Sequence, residues 1–294
     1  MGKRIPRAEA KEGDLLFWAT GGDCKNKVAH VGIFIRPGWM INAARTGIGL
    51  ILAERLIAHG CFVIGTGRRK ENLEAFVQRH GEDKAAVVQF DISKLGEIPG
   101  FVSEVTTSHP DLDCVFINSG IQRRSVFSEP ESIDMDVIVE EFTTNYISYL
   151  ALTKVFLPFF QAKKDTPTSF IFTSSGLAFA PILRCSNYCA TKAALHHWTL
   201  CLREDLKDTN IRVIEIFPPM VQTELHDAKH QPDIVDGGNK GMPIEEFADE
   251  TMSKLLAGED QIPVGMSNIA FNSWEQQRQQ QFHKMAEMMK KHDP

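Results

Sequence analysis

From residue 47 onward the chain alternates short, uniformly apolar runs with longer segments of helical spacing, and this alternation limits what it can fold into. The stretch GIGLILAERLIAH over 47–59 predicts a helix, with Gly60 as its stop. Helical patterns recur over 70–80, 136–161 and 187–207. Apolar runs fall at 61–64, 86–90, 113–117, 169–173, 211–217 and 262–265. Strands and helices in alternation specify a parallel sheet with helices on both faces. The strand runs are apolar throughout, as strands buried on both faces should be. Right-handed crossovers then give a doubly wound α/β sheet, with ligands at the carboxyl ends of the strands. Residues 225–259, rich in Asp, Gly, Lys and Pro, fall between the last two strands and are expected to form a substrate lid. Residues 274–291 read as a Gln-rich helix whose Met285, Met288 and Met289 form a docking face, on the domain or on a partner subunit.

Composition narrows the class. The 294 residues carry 32 Lys plus Arg against 38 Asp plus Glu, a net charge of −6, and 43% are hydrophobic. A chain of this size buries a large core without disulfide or metal staples. Mild acidity, with no basic stripe interleaved with aromatics, argues against nucleic acid as a partner. The six cysteines, Cys24, Cys61, Cys114, Cys185, Cys189 and Cys201, show neither a C-x-x-C pair nor zinc spacing, so no metal is expected. Reduced thiols fit the cytosol. The first residues are charged rather than signal-like, and Pro6 stands where a myristoylation signal wants Ser or Thr. No run reaches the ~18 apolar residues of a membrane span. A cytoplasmic protein with no membrane partner is the expectation.

Chemistry concentrates at a few positions. Tyr188 and Lys192, four apart at the start of a predicted helix, share one helix face. A free tyrosine, with a pKa of ~10, is a poor acid or base at neutrality. A neighbouring ammonium favours the phenolate and lowers that pKa. A bare Y-x-x-x-K also recurs on ordinary helix surfaces. Ser175, thirteen residues earlier, follows an apolar strand, which puts it at a carboxyl strand end or in a plain turn. Asn145 sits inside the long helical pattern, where asparagine is a poor helix former. Asn118-Ser119-Gly120 follows another buried strand.

Together these residues resemble the short-chain dehydrogenase/reductase family over residues 40–294, with surrounding text similar to fungal members. The match runs through Asp91, the 118–120 strand end, Asn145, Ser175, the Tyr188/Lys192 pair, and Pro218-Pro219 through Thr223. The resemblance implies a Rossmann-type fold and a reaction between a small carbonyl or alcohol and a nicotinamide cofactor. Tyr188 would be the proton donor or acceptor. Lys192 would hold the nicotinamide ribose and depress the tyrosine pKa. Ser175 would bond the substrate oxygen, and Asn145 would support the water that leads protons to Lys192. Asn118 would shape the central crevice, Asp91 face the adenine, and Thr223 lie over the nicotinamide side. Gly47-Ile48-Gly49 would open the phosphate-binding helix. The family's usual Pro-Gly is Pro218-Pro219 here, and the first loop glycine is Ala43, where a Cβ costs if φ is positive.

Residues 12–47 resemble a different family, the NlpC-type cysteine peptidases of cell-wall peptides, through GDLLFW, AHVGIFI and GWMINAARTG. There His30 would be the base and Asn42 its orienting partner. That family's nucleophile lies several tens of residues before its histidine, and Cys24 sits in a polar turn without a helix to activate it. No peptidase activity is expected. The chain reads as a junction of two families near Thr46-Gly47, with residues 1–37 an atypical extension and 38–294 the oxidoreductase domain. Residues 39–42 must then serve as the central first strand, or pair with 31–35 as a hairpin. An empty central slot would expose a long apolar groove, so the central placement is expected.

An NAD-preferring site wants a carboxylate at the end of the second strand. Here that strand runs into Gly65-Thr66-Gly67-Arg68-Arg69, with no carboxylate before Glu71, and Arg45 lies in the phosphate loop. A guanidinium fork suits a 2′-phosphate, which predicts NADP over NAD, with Arg68 as the contact. The functional expectation is an NADP-dependent alcohol dehydrogenase or carbonyl reductase. The alternative is a catalytically silent nucleotide-fold protein. Apolar residues on several faces of two helices (Ile147, Leu150, Val155 and Phe156; Leu195, Trp198 and Leu202) predict a homo-oligomer.

Overall fold

A computed structural model of the chain describes residues 15–18, 30–33, 38–42, 47–164, 166–228 and 231–290. It divides into two compact units, Met1–Pro37 and Gly38–Pro294. In the first, β1 (Leu15–Trp18) and β2 (His30–Ile33) pair antiparallel, with Leu15 opposite Ile33. Cys24, Ala43 and Arg45 lie outside the described residues.

The second unit runs β3 (Gly38–Asn42), α1 (Ile48–Ala58), β4 (Phe62–Gly67), α2 (Lys70–His80), β5 (Ala85–Gln89), α3 (Ile98–Ser108) and β6 (Leu112–Ile117). It continues through α4 (Met135–Phe142), α5 (Ser148–Ala162), β7 (Thr168–Thr173), α6 (Ser186–Asp205) and β8 (Ile211–Phe217). It closes with α7 (Ile244–Leu256), β9 (Gln261–Pro263), α8 (Ser267–Ala270) and α9 (Gln276–Lys290). The seven strands form one sheet in the order β5-β4-β3-β6-β7-β8-β9, every pair parallel. The expected first strand takes the central slot: Met40 lies opposite Ile64 on one side and Val115 on the other. The sequence order reverses at β3, which creates the crevice where such sheets bind ligands.

Strand alternation builds two cores. Val115, Ile117, Phe170 and Phe172 face one side, where they pack with Phe101 and Val105 of α3 and Tyr149, Phe156 and Phe160 of α5. Cys114, Phe116, Ile171 and Ile214 face the other, against Leu52 and Leu56 of α1 and Phe247 and Met252 of α7. Successive side chains of a strand point to opposite faces, so apolar runs without alternation serve both cores.

Three expectations need correcting. The helical pattern over 136–161 is not one helix: a π turn, Thr143–Ile147, separates α4 from α5 and carries Asn145. The stretch 225–259 divides. Leu225, His226 and Ile234 line the ligand cleft, but α7 is a structural helix of the second core rather than lid. Met285, Met288 and Met289 do not dock on the domain, where each is more than half exposed; the partner-subunit alternative is the one left. The apolar residues of the π turn, α5 and α6 expected to meet a partner differ in exposure. Phe156, Leu195 and Leu202 are buried, Leu150, Val155 and Trp198 are half-buried, and Ile147 is exposed.

Candidate active site

A cleft of about 750 Å³ opens where β4, β6, β7 and β8 end. Strand ends there release Gly67, Asn118, Thr173 and Pro218 onto its wall. Asn118 and Thr173 tie two of these ends together, the threonine hydroxyl donating to Asn118 Oδ1 at 2.8 Å.

Ser175, Tyr188 and Lys192 meet on this wall. Ser175 caps a short turn, its Oγ accepting from Leu177 N at 3.1 Å. Tyr188 is buried in the first turn of α6, and Lys192 follows one turn on. Lys192 Nζ donates to the Thr173 carbonyl at 2.8 Å and lies 5.7 Å from the centre of the Tyr188 ring. Burial holds the Tyr188 phenol above the ordinary tyrosine range, while the Ser175 hydroxyl pulls it back by hydrogen bonding. Desolvation, rather than the expected lowering by Lys192, sets the direction here. Burial also brings the Lys192 ammonium down to about 8, opposed by the field of Glu215 and Glu141.

Asn145 is fully buried behind this group. Its Oδ1 accepts from Ile121 N at 2.9 Å. Its Nδ2 donates to Ile121 O at 2.8 Å and to Thr191 Oγ1 at 3.2 Å. It thus clamps the loop after β6 to α6, and the π turn swings it out of the helical ladder to do so. One turn beyond Lys192, His196 bonds Glu215 of β8 through Nδ1 and Glu275 through Nε2, both at 2.9 Å. Desolvation alone would lower the His196 pKa, but the two carboxylates win and raise it to about 9.

The other end of the cleft is more open. Arg68 and Arg69 both line it, and both are exposed. Arg69 is held by Glu224, at 2.6 and 3.3 Å, so of these two arginines Arg68 is the one whose guanidinium has no ion pair among the described residues. Asn72, one helical turn after Arg68, lines the same wall. Asp91 Oδ1 accepts from the amide and hydroxyl of Ser93 at 3.0 and 2.8 Å. Gly47, Ile48 and Gly49 line the cleft where α1 begins, and Thr223 closes the wall beside Glu224.

These surroundings fit a dinucleotide. The first turn of α1 has no side-chain cap and no acidic residue, and such a helix start suits an anion. Gly47, at φ 153°, holds a backbone that a side chain would strain. A Cβ at Gly120 would come within 3.3 Å of Asn145 Oδ1 and 3.7 Å of Lys192 Nζ. Ser174 Oγ and Asn72 Nδ2, both on the cleft wall, are buried atoms with no partner among the described residues.

Several cleft residues have no motif of their own: Asn72, Gln122, Arg184, Leu225 and His226. Only Asn72 offers a sequence signal, its i, i+4 spacing from Arg68 on the first turn of a predicted helix. Among the described residues, no cluster of His, Cys, Asp or Glu could hold a metal ion, and no helix is long and apolar enough to cross a membrane.

Comparison with known proteins agrees with this geometry. The short chain dehydrogenase family model matches residues 39–233. The NlpC/P60 family model matches residues 1–56, overlapping the first match over 39–56, most of the central strand and of α1. The uncharacterized oxidoreductase DltE of Bacillus subtilis is 30% identical over 223 residues, covering 76% of this chain and 86% of that protein. The NADP-dependent 3-hydroxy acid dehydrogenase of Schizosaccharomyces pombe is 26% identical over 230 residues, covering 75% and 87%. A solved short-chain dehydrogenase from Sphingobium yanoikuyae, in complex with NADPH, shares the fold at a TM-score of 0.71 and 20% identity, covering 84% and 95%. With the family model matched over residues 39–233 and a 30%-identical relative covering 76% of it, the chain belongs to the short-chain dehydrogenase/reductase family and is an oxidoreductase acting on CH–OH groups.

Proposed function

We propose that the chain interconverts a carbonyl and an alcohol with NADP(H), using Tyr188 as general acid and base. The observation that carries this reading is the meeting of Ser175, Tyr188 and Lys192 on one cleft wall. A bound nicotinamide supplies or accepts the hydride. In reduction Tyr188 gives its phenol proton to the substrate oxygen, and burial keeps that proton in place until the oxygen takes up charge. The Ser175 hydroxyl orients the same oxygen. Lys192, charged at neutrality and buried beneath the tyrosine, holds the nicotinamide ribose and stabilises the phenolate left behind. Asn145 keeps the wall between them in register and supports the water that returns protons to Lys192. The amides of Gly47, Ile48 and Gly49 hold the pyrophosphate, Asp91 faces the adenine, Asn118 shapes the crevice floor, and Thr223 lies over the nicotinamide.

The preference for NADP over NAD rests on Arg68, whose guanidinium is free to take a 2′-phosphate. The test is fluorescence titration with NADPH and NADH, followed by a carbonyl panel. NADPH should bind more than ~10-fold tighter, the ~1.4 kcal/mol that one such contact supplies. Equal affinities, or no turnover of any carbonyl, would reject the reading. The exposed Ile147 and the half-buried residues around it offer a surface for a second copy, and a strictly monomeric mass by light scattering would reject a homo-oligomer. The free thiols of Cys61, Cys114, Cys185, Cys189 and Cys201 suit a reducing, cytoplasmic setting.

A further inference from the structure

The cleft wall also carries a hydrogen-bonded chain that the reading above leaves without a role. Asp233 grips Arg184, which donates to it through Nε and Nη2 at 3.1 and 2.6 Å. Arg184 Nη1 donates to Gln231 Oε1. That contact fixes which end of the Gln231 amide is oxygen, so its Nε2 must point the other way. Gln231 Nε2 donates to Leu225 O at 2.7 Å and Gln122 Oε1 at 2.9 Å, and reaches His226 Nδ1 at 3.3 Å. Gln122 Nε2 in turn donates to Cys185 Sγ at 3.5 Å, which fixes the second amide. Gln122, His226 and Gln231 are all more than nine-tenths buried, and Gln122 and His226 line the cleft.

The chain has one consequence for His226. Its Nδ1 faces an NH₂ group, so a proton there would oppose a donor to a donor. Nδ1 is therefore bare, and the ring proton sits on Nε2, an atom with no partner among the described residues. Burial and the Arg184 charge lower the His226 pKa, against a smaller opposite pull from Asp227, which keeps the ring neutral. The turn that carries it is packed from behind, since a Cβ at Gly237 would fall 2.0 Å from the His226 carbonyl oxygen. The charges on this side of the cleft are also cancelled or engaged. Arg184 is paired with Asp233 and Arg69 with Glu224, while Arg123 donates to Gln122 O and stands in the field of Glu141.

We infer that His226 sets substrate specificity, offering a fixed, neutral Nε2–H to a second oxygen acceptor on an uncharged carbonyl substrate, such as a 3-oxo ester. The inference rests on the oxidoreductase reading of the same site. A donor that a substrate covers without offering an acceptor is left unpaired and costs binding energy, which is how such sites discriminate.

The test compares ethyl 3-oxobutanoate with 2-heptanone, its chain-length match without the ester oxygens, in the NADPH-loaded protein. kcat/KM should favour the ester by about tenfold or more, as one buried hydrogen bond allows. His226→Phe should bring the ratio to within about twofold, and His226→Gln, which keeps an N–H donor, should hold part of it. ¹⁵N imidazole spectra give a readout free of turnover and of the variants' folding. At pH 7 His226 should be protonated at Nε2 alone, and that resonance should move on adding the ester but not 2-heptanone. An Nδ1–H or cationic ring, an equal response to both compounds, or an unchanged ratio in His226→Phe would overturn the inference. So would a higher kcat/KM for 3-oxobutanoate, the free acid, than for the ester. A wild-type protein that reduces no carbonyl of the wider panel would fail the proposed reduction instead, and the spectra would still decide the role of His226.

Discussion

At the Tyr188 end of the cleft the polar side chains are buried and hold one another. Asn145 clamps Ile121 and Thr191, Lys192 bonds the Thr173 carbonyl, and Ser175 is fixed by Leu177 N. At the Arg68 end both arginines are exposed, and the guanidinium of Arg68 has no ion pair among the described residues. The difference separates two kinds of work. The end that would move a proton is organised before anything binds, as electrostatic catalysis requires. The end that would choose between cofactors is completed by the ligand, and its charges remain open to water and salt.

Substitutions should reveal that contrast as a falling series. Tyr188→Phe keeps the ring and deletes the proton, so turnover should drop ~10²-fold or more while NADPH affinity changes far less. Near-normal turnover measured in steady state would end the proton-donor assignment. Asn145→Ala strands the Ile121 amide and carbonyl inside the protein. It should cost about 1–3 kcal/mol in denaturant unfolding, a loss that salt does not modify. A neutral result would mean that the buried end is less tightly organised than its hydrogen bonds imply. Arg68→Asp should erase the NADPH preference, a change of ~10-fold in the ratio of dissociation constants, and raised ionic strength should shrink the wild-type preference in the same direction. An unmoved ratio would take the phosphate contact away from Arg68. Glu224→Gln releases Arg69 from an exposed pair worth only ~0.2–1 kcal/mol. NADPH should then bind at most a few-fold tighter; a larger gain would make Arg69 the main phosphate contact.

Most of the sheet can be read from the sequence, because each strand is a bounded apolar run and each crossover has a start or stop residue, as Gly60 shows. The Ser175, Tyr188 and Lys192 group is readable for a similar reason, since two of the three share a helix start and the third ends the preceding strand. α3 is harder to see. Its buried Ile98, Phe101, Val102 and Val105 have helical spacing, but Pro99, Gly100 and paired threonines mask it, and the sheet beneath supplies what propensity does not. α7 is hidden inside a polar stretch that resembles a lid, and its packing with α1 and the sheet makes it core. The His226 wall is the least legible part. Gln122 and Gln231 meet across 109 residues of chain, and nothing local marks either one. Asn145 was conspicuous as a poor helix residue, but the π turn that explains it depends on what the side chain reaches.

The two carboxylates on His196 have a consequence for the order in which this protein is made. Glu215 leaves the ribosome soon after the helix that bears Lys192 and His196, but Glu275 is 79 residues behind the imidazole. Until the last part of the chain is synthesised, the helix beneath the tyrosine carries a buried ring with one of its two nitrogens unanswered. Vectorial folding can therefore assemble the sheet early yet leave the support of Lys192 for last. A chain released short of residue 275 would keep every motif residue and lack the anchor that seats them.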